Sequence, residues 1–273
     1  MKRFFTILIV AACAISTYAV DANLQIFYDF GSKGTICDHT RTSRITTTIE
    51  LFHPDAWGST FFFVDIDYSL HKEDGLHTPF GAYWEITRSF NFWQNSKAKD
   101  LSFHLEYNGG CGIHGNDTIL GFPINHTVLV GPEYFLHTPD YKNTFMLQLL
   151  FKYMASQANM WDYKDDNGHW VHQKGNQIPL QFTFTWTCKD FCTAPGLTFN
   201  GFIDLWGEKI SNASRPEPYQ SVVFLSEPQL WYSIGQWFKC PGLCIGTEIE
   251  FSVNYCGKGF MCNPCVGLKW NFL

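Results

Sequence analysis

The segment TFFFVDIDYS, residues 60–69, decides the fold. Successive side chains of an extended strand point to opposite sides, so four apolar residues of this segment share one face and two aspartates share the other. The apolar face carries Phe62, Val64, Ile66 and Tyr68, and the acidic face carries Asp65 and Asp67. A soluble β-sandwich would bury the apolar face, whereas a membrane barrel would turn it to lipid and the aspartates to the interior. Both interpretations fit this one segment.

Alternation of this kind continues through the chain in segments of about ten residues, a length typical of transmembrane barrel strands. Clusters of Gly, Pro, Asn and Asp separate the segments, and no long amphipathic helix is evident. The pattern predicts an all-β fold with twelve strands, at 23–30, 43–53, 60–69, 81–92, 101–109, 122–135, 143–153, 178–188, 196–206, 220–232, 244–254 and 264–273.

The links between these strands alternate in length, which is the layout of a transmembrane antiparallel β-barrel with tight periplasmic turns and longer extracellular loops. Short links are predicted at 54–59, 93–100, 136–142, 189–195 and 233–243. Longer links are predicted at 31–42, 70–80, 110–121, 154–177, 207–219 and 255–263.

Aromatic residues favour the membrane over the soluble sandwich. The chain has 26 Phe, 12 Tyr and 10 Trp among 273 residues, more than a soluble core of this size can hide. Trp residues recur near predicted strand ends, for example Trp231, Trp237 and Trp270, as in the aromatic girdles of membrane interfaces.

Residues 1–19 read as a secretory signal peptide, with Lys2 and Arg3 before an apolar run, and residues 20–273 as the barrel. The alternative is a lipoprotein signal that would lipidate Cys13. The chain has 19 basic and 25 acidic residues, and removal of the signal peptide takes away the two basic residues Lys2 and Arg3. The remaining 17 basic and 25 acidic residues give a net charge of −8, which disfavours nucleic acid as a partner.

Four segments resemble a known family: HLEYNGG at 104–110, GFIDLW at 201–206, GTEIEFS at 246–252 and LKWNF at 268–272. They resemble an uncharacterised family of bacterial outer-membrane barrels related to the Tsx-like nucleoside-specific channels. The resemblance implies a monomeric twelve-stranded barrel in the outer membrane that passes small hydrophilic solutes, with nucleosides as candidates. The cysteine-rich C-terminal part departs from the family pattern.

If the apolar faces contact lipid, the opposite faces line a lumen whose composition follows from residue parity. The predicted pore-lining residues are Asp29, Glu50, Phe61, Phe63, Asp65, Asp67, Glu85, His104, Glu106, Asp204, Glu227, Glu248, Glu250 and Lys269. Lys152 is a further lumenal base, whereas Arg88 has the parity of the outer face. An acidic wall of this kind favours cations and neutral polar solutes over anions.

Nine cysteines remain after the signal peptide, and they fall in local groups that predict disulfides across loops. Cys262 and Cys265 form a CxxC motif without the second CxxC that a zinc finger requires. The acidic and histidine residues of the link 154–177 do not follow calcium-loop spacing, so we expect no metal and no other cofactor.

Short enzyme signatures are absent from the sequence, and we expect no enzymatic activity. One alternative is a barrel hydrolase that would use Ser102, His104 and Asn108. The function indicated is a channel for small hydrophilic solutes. The principal alternative is an outer-membrane receptor or structural barrel with a closed lumen and disulfide-stapled loops, and a third possibility is a secreted soluble sandwich.

Overall fold

The structure is a computed structural model that describes most of the chain after the predicted signal peptide. The described residues are 20–31, 42–70, 79–114, 120–155, 163–164, 170–171, 176–212, 215–255 and 259–272. The predicted signal peptide, Cys13 and Cys37, and most of the link 154–177 lie outside them.

Fifteen strands account for nearly all of the regular structure in the described residues. They are β1 (Asp21–Asp29), β2 (Arg44–Asp55), β3 (Gly58–Ser69), β4 (Pro79–Phe90), β5 (Leu101–His114), β6 (Leu120–His137), β7 (Asn143–Met154), β8 (Tyr163–Lys164), β9 (Trp170–Val171), β10 (Leu180–Lys189), β11 (Leu197–Asn212), β12 (Arg215–Ser226), β13 (Gln229–Ser233), β14 (Leu243–Val253) and β15 (Phe260–Asn271). A 3-10 turn at Phe191–Thr193 and one short helix, α1 (Gly235–Phe238), lie in links. No helix in the described part of the chain is long and apolar enough to cross a membrane.

Strands β1 to β7 and β10 to β15 form one antiparallel sheet in which neighbours in sequence pair, except that β12 and β13 each pair with β11 and with β14. The sheet closes because β1 pairs with β15, for example Phe27 with Gly267. The short strands β8 and β9 pair only with each other. This up-and-down order agrees with the predicted layout, in which short turns alternate with longer links.

Strands β12 and β13 are two parts of one barrel strand, because both pair with β11 and with β14 in an unbroken register. The break falls at Glu227 and Pro228, where proline has no N–H to give to the ladder. Gly201 lies opposite, and a Cβ there would come within 2.6 Å of the Glu227 carbonyl oxygen. The barrel therefore has twelve strands, as the sequence predicted.

The barrel has an apolar outside and a polar inside. Outward residues such as Ile49, Phe151 and Leu268 are exposed, whereas inward Gln25, His104 and Gln148 are buried. A soluble sandwich has the opposite arrangement, so that alternative is wrong. A closed barrel satisfies its backbone hydrogen bonds internally, as the apolar interior of a bilayer requires.

Two of the predicted long links are shorter than expected. Strand β11 continues to Asn212 and β12 begins at Arg215, so most of 207–219 is paired strand. Likewise β5 extends to His114 and β6 begins at Leu120. The turn-forming residues in these segments indicated loops, and that prediction is wrong. Such residues can still pair where a barrel strand extends beyond the membrane-spanning part.

Candidate functional site

The inner wall of the barrel is the candidate site. Alternation along each strand and the cross-strand register place all fourteen predicted pore-lining residues on this wall. Arg88 lies on the outer face as its parity indicated, and its guanidinium pairs with Asp55 at 2.7 Å. Placement on the wall is thus a property of the structure, while a part in permeation stays a prediction.

Near the ends of β1 and β3 that lead into the long links, one arginine joins two aspartates. The Arg44 Nε atom lies 3.3 Å from Asp29 Oδ2, and its Nη1 atom lies 3.5 Å from Asp67 Oδ2. The Thr46 hydroxyl donates to Asp67 Oδ1 at 2.6 Å. Sequence reasoning missed Arg44, although it shares its parity with Thr46 and with inward Glu50.

Two aromatic and two acidic residues alternate, along and across the strands, on the inner face of β3 and β4. Phe63 pairs across the strands with Glu85, and Asp65 pairs with Tyr83. The rings of Phe63 and Tyr83 are 6.0 Å apart, and the Tyr83 hydroxyl donates to Glu85 Oε1 at 2.6 Å. All four side chains are partly exposed. We call Phe63, Asp65, Tyr83 and Glu85 the aromatic–acidic patch.

Further carboxylates lie on β14 and at the break between β12 and β13. Gln229 Nε2 donates to Glu248 Oε2 at 2.6 Å, and Asn263 Nδ2 donates to Glu250 Oε1 at 2.9 Å. Glu227 interacts electrostatically with Asp65 and Glu85 of the patch, as well as with its neighbours Glu248 and Glu250. Carboxyl groups of β3 and β4 therefore lie within electrostatic range of those on β14 and at the break between β12 and β13.

Both lysines of the inner wall lie on tryptophan rings. The Lys152 ammonium is 3.7 Å from the centre of the Trp206 ring, whose Nε1 donates to Glu208 at 3.0 Å. The Lys269 ammonium is 4.4 Å from the centre of the Trp231 ring. These are cation–π contacts, and carboxylates surround each of them.

Trp231 was predicted to lie in an interfacial girdle, and that prediction is wrong. Its ring packs inside the barrel against Phe27 with centroids 5.5 Å apart. Gly246 and Gly267 pair beneath these rings, where a Cβ on Gly246 would come within 2.4 Å of the Trp231 ring. Odd-numbered residues of β13 face the interior, as Gln229 does opposite Glu248. The odd number of Trp231 could therefore have indicated that its ring points inward.

A buried network occupies the inner face of β5 to β7. His104 Nε2 lies 2.9 Å from Glu106 and its Nδ1 lies 3.0 Å from Glu133. Gln148 Nε2 also donates to Glu133 at 2.7 Å. Both imidazole nitrogens are engaged by carboxylates, so His104 cannot act as the base for Ser102 in the hydrolase arrangement. Sequence reasoning missed Glu133 and Gln148.

Negative charge dominates the inner wall away from its rims. Its described acidic residues are Asp29, Glu50, Asp65, Asp67, Glu85, Glu106, Glu133, Asp204, Glu208, Glu227, Glu248 and Glu250, and its arginine and lysine residues are Arg44, Lys152 and Lys269. An excess of this size inside a low-dielectric wall must be balanced by bound protons or by mobile cations.

Apolar side chains fill part of the interior. Leu129, Leu150 and Val223 point inward and have no exposed surface. Trp206 packs with Val223 and Leu225 in one cluster. These side chains lie on β6, β7, β11 and β12, whereas the aromatic–acidic patch lies on β3 and β4.

The predicted disulfides are not present among the described cysteines. Cys262 and Cys265 both lie in β15, three residues apart, so their side chains point to opposite faces and cannot pair. Cys188 and Cys192, and likewise Cys240 and Cys244, are also unbridged. Within the described ranges no group of three or more His, Cys, Asp or Glu could hold a metal ion.

Exposed aromatic residues mark the end of the barrel with the short turns. Trp57 and Phe92 lie 6.2 Å apart between their ring centres, and Trp237 lies beside Tyr232. These side chains are suited to the interface between lipid headgroups and hydrocarbon, which supports lipid as the surrounding partner.

Comparison with known proteins gives one family and a set of distant barrels. Residues 21–272 match the family described as Domain of unknown function (DUF5020). No curated protein matches the sequence. Solved structures similar to this one include the NanC porin, with 8% identity and a TM-score of 0.49 over 92% of this chain and 100% of that one.

Two further similar structures are also bacterial barrels. The translocator domain of the autotransporter NalP from Neisseria meningitidis has 8% identity and a TM-score of 0.45, covering 99% of this chain and 95% of that one. OccAB3 from Acinetobacter baumannii has 8% identity and a TM-score of 0.38, covering 94% of this chain and 100% of that one. These scores lie below 0.5, so the barrel is assigned from its own strand pairing. An even-numbered antiparallel barrel with an apolar exterior belongs to the bacterial outer membrane.

Proposed function

This chain belongs to the family described as Domain of unknown function (DUF5020). We propose its function from the residues of the inner wall. We propose that it is an outer-membrane channel for small hydrophilic solutes, with a lumen that favours cations. It acts without covalent chemistry and without a cofactor. The closed sheet pairs both of its edge strands, so a single copy suffices.

One observation carries the proposal: the aromatic–acidic patch stays partly exposed inside the barrel. A wall built only for structure would pair its carboxylates with basic side chains, as buried Glu133 is paired with the His104 imidazole at 3.0 Å. Asp65, Glu85 and Glu248 accept hydrogen bonds from the neutral side chains of Thr48, Tyr83 and Gln229. No salt bridge joins these three carboxyl groups to a basic side chain in the described part of the chain, so a passing cation meets no competing basic group there.

Nucleosides are candidate solutes within this class. Their bases could stack on Phe61, Phe63 and Tyr83, a contact worth about 1–3 kcal/mol per base in single-strand binding proteins. Nearby carboxylates such as Asp65 could accept hydrogen bonds from ribose hydroxyls.

A closed-lumen structural barrel or receptor is the second candidate. The complete burial of Leu129, Leu150 and Val223 favours it, since these side chains seal one side of the interior. The disulfide-stapled loops first associated with this alternative do not support it, because the described cysteines are unbridged.

Current across a planar lipid bilayer distinguishes the two. Purified protein that shows heat-modifiable gel migration is added to the bilayer in KCl, and we expect discrete conductance steps. Swelling of liposomes in nucleosides, sugars and amino acids then ranks the solutes. Folded protein that gives neither conductance nor swelling would contradict the channel and favour the closed barrel.

A further inference from the structure

We propose that the lumen binds organic cations that carry primary ammonium groups, and that the aromatic–acidic patch is their binding surface. This inference rests on the channel function proposed above and names its preferred solute class. It follows from the chemistry of the patch, from the lysines of the inner wall and from one unpartnered amide.

The patch combines the two features that bind organic ammonium ions. Aromatic faces attract cations through their quadrupole, and carboxylates accept hydrogen bonds from N–H groups. In the patch each aromatic residue lies directly across from a carboxylate, Phe63 from Glu85 and Tyr83 from Asp65. An ammonium ion over either ring therefore has a carboxylate beside it.

The opposite wall adds a second source of negative charge. Glu227 and Glu248 both interact electrostatically with Asp65, and neither carboxylate forms a salt bridge within the described ranges. A cation at the patch is consequently attracted from two sides. A neutral solute of the same shape gains nothing from this field.

The two inner-wall lysines already use the same combination of partners. Lys152 lies on Trp206 with Asp204 and Glu208 nearby, and Lys269 lies on Trp231 in the field of Glu50 and Glu248. Each is a primary ammonium group held by an aromatic face and carboxylates. The protein thus accommodates this group twice inside the barrel, and the patch offers a third place that no lysine fills in the described structure.

An unpartnered acceptor points to the same ligand chemistry. Asn108 lies directly across from Glu85 on the inner face and is only 7% exposed. Its Oδ1 atom has no hydrogen-bond partner in the described structure. A buried acceptor beside a carboxylate is costly unless a donor reaches it, and a primary ammonium has three donors.

An inorganic metal ion is a poorer match. Metal ions such as Ca²⁺ require several oxygen ligands that converge on one point. No group of three or more candidate side chains converges in this way among the described residues. The carboxylates are instead spread along two walls and interleaved with aromatic rings, which suits an extended organic cation.

The test compares 1,4-diaminobutane with 1,4-butanediol, which has the same chain length but no charge. In planar bilayers we expect the diamine to reduce the K⁺ current at concentrations at which the diol has no effect. In detergent solution, isothermal titration calorimetry measures binding of the same two compounds without requiring transport.

Three variants locate the binding surface. Asp65→Asn and Glu85→Gln each remove a charged acceptor while keeping its size, and we expect diamine affinity to fall roughly tenfold in each. Phe63→Leu keeps every charge but removes one ring, and we expect roughly a threefold loss of diamine affinity with unchanged preference for K⁺ over Cl⁻. Asp140→Asn, in the exposed turn between β6 and β7, makes the same chemical change outside the lumen and should have no effect.

The outcomes separate this inference from the channel itself. Conductance with equal responses to diamine and diol would overturn the ammonium site and leave the channel intact. Calorimetric binding that Asp65→Asn weakens, in folded protein without conductance, would retain the site and overturn the channel. Equal losses in Asp65→Asn and Asp140→Asn would remove the patch as the binding surface.

Discussion

Replacement of Trp231 by alanine tests the inner packing of the barrel. The side chain is 1% exposed and contacts Phe27, the Lys269 ammonium and the glycine pair of β14 and β15. Its removal should leave a space inside the lumen and remove the cation–π contact of the Lys269 ammonium. We therefore expect both lower stability and a wider passage.

The magnitude follows from the contacts. Removal of a buried Trp or Phe side chain costs about 3–5 kcal/mol. Loss of the cation–π contact adds about 1 kcal/mol, which gives a range of about 4–6 kcal/mol. Water can enter the space because Lys269 and Glu248 lie nearby, so we expect a loss in the free energy of unfolding of about 4 kcal/mol, the lower end of this range.

Urea unfolding from lipid vesicles measures the change, with Trp237→Ala as the matched control. Trp237 is 62% exposed on helix α1, so its loss should cost at most about 1 kcal/mol. Single-channel conductance of Trp231→Ala should exceed that of the unchanged protein. Equal stabilities of the two variants, together with unchanged conductance, would refute the inward packing of Trp231.

Three other changes should have defined results. Glu133→Gln leaves the buried His104 with one carboxylate fewer, and we expect a loss of about 3–5 kcal/mol in the free energy of unfolding, measured in urea. The Lys142 ammonium, 2.6 Å from Asp190 in the exposed turns, holds the pKa of that carboxyl below its usual range. A carboxyl group whose pKa is lowered in the folded state stabilises the fold at pH values above its unfolded pKa, and this stabilisation is lost as the pH falls through its folded pKa. Lys142→Met should therefore weaken the dependence of stability on pH below about pH 4, measured by thermal unfolding. Exposed Cys192 should react with a water-soluble maleimide in the folded protein, and intact-mass measurement should show the buried cysteines unmodified until unfolding.

The sequence was sufficient for the strands and their faces because one apolar side and one polar side alternate with a period of two. The inward placement of Asp65, Glu248 and Lys269 followed from their parity once the aromatic content had identified the apolar faces as lipid-facing. Parity also placed Arg88 outside, where it pairs with Asp55.

Other features needed the closed sheet. The sequence did not reveal that Pro228 interrupts a strand without ending it, because the register on both sides becomes visible only through β11 and β14. The proximity of Glu227 to the patch depends on which strands face each other across the barrel. The predicted disulfides are absent among the described cysteines, since Cys262 and Cys265 belong to strand β15 and not to a loop, and their spacing of three residues puts the two thiols on opposite faces.

The reversal potential under a KCl gradient tests the central claim most directly, since it reports the charge of the passage without requiring knowledge of the solute. For the unchanged protein in a planar bilayer, we expect a reversal potential close to the equilibrium potential of K⁺, with a shift toward zero in Asp65→Asn and in Glu248→Gln. A reversal potential near that of Cl⁻, or one that neither substitution changes, would contradict an acidic passage lined by these residues.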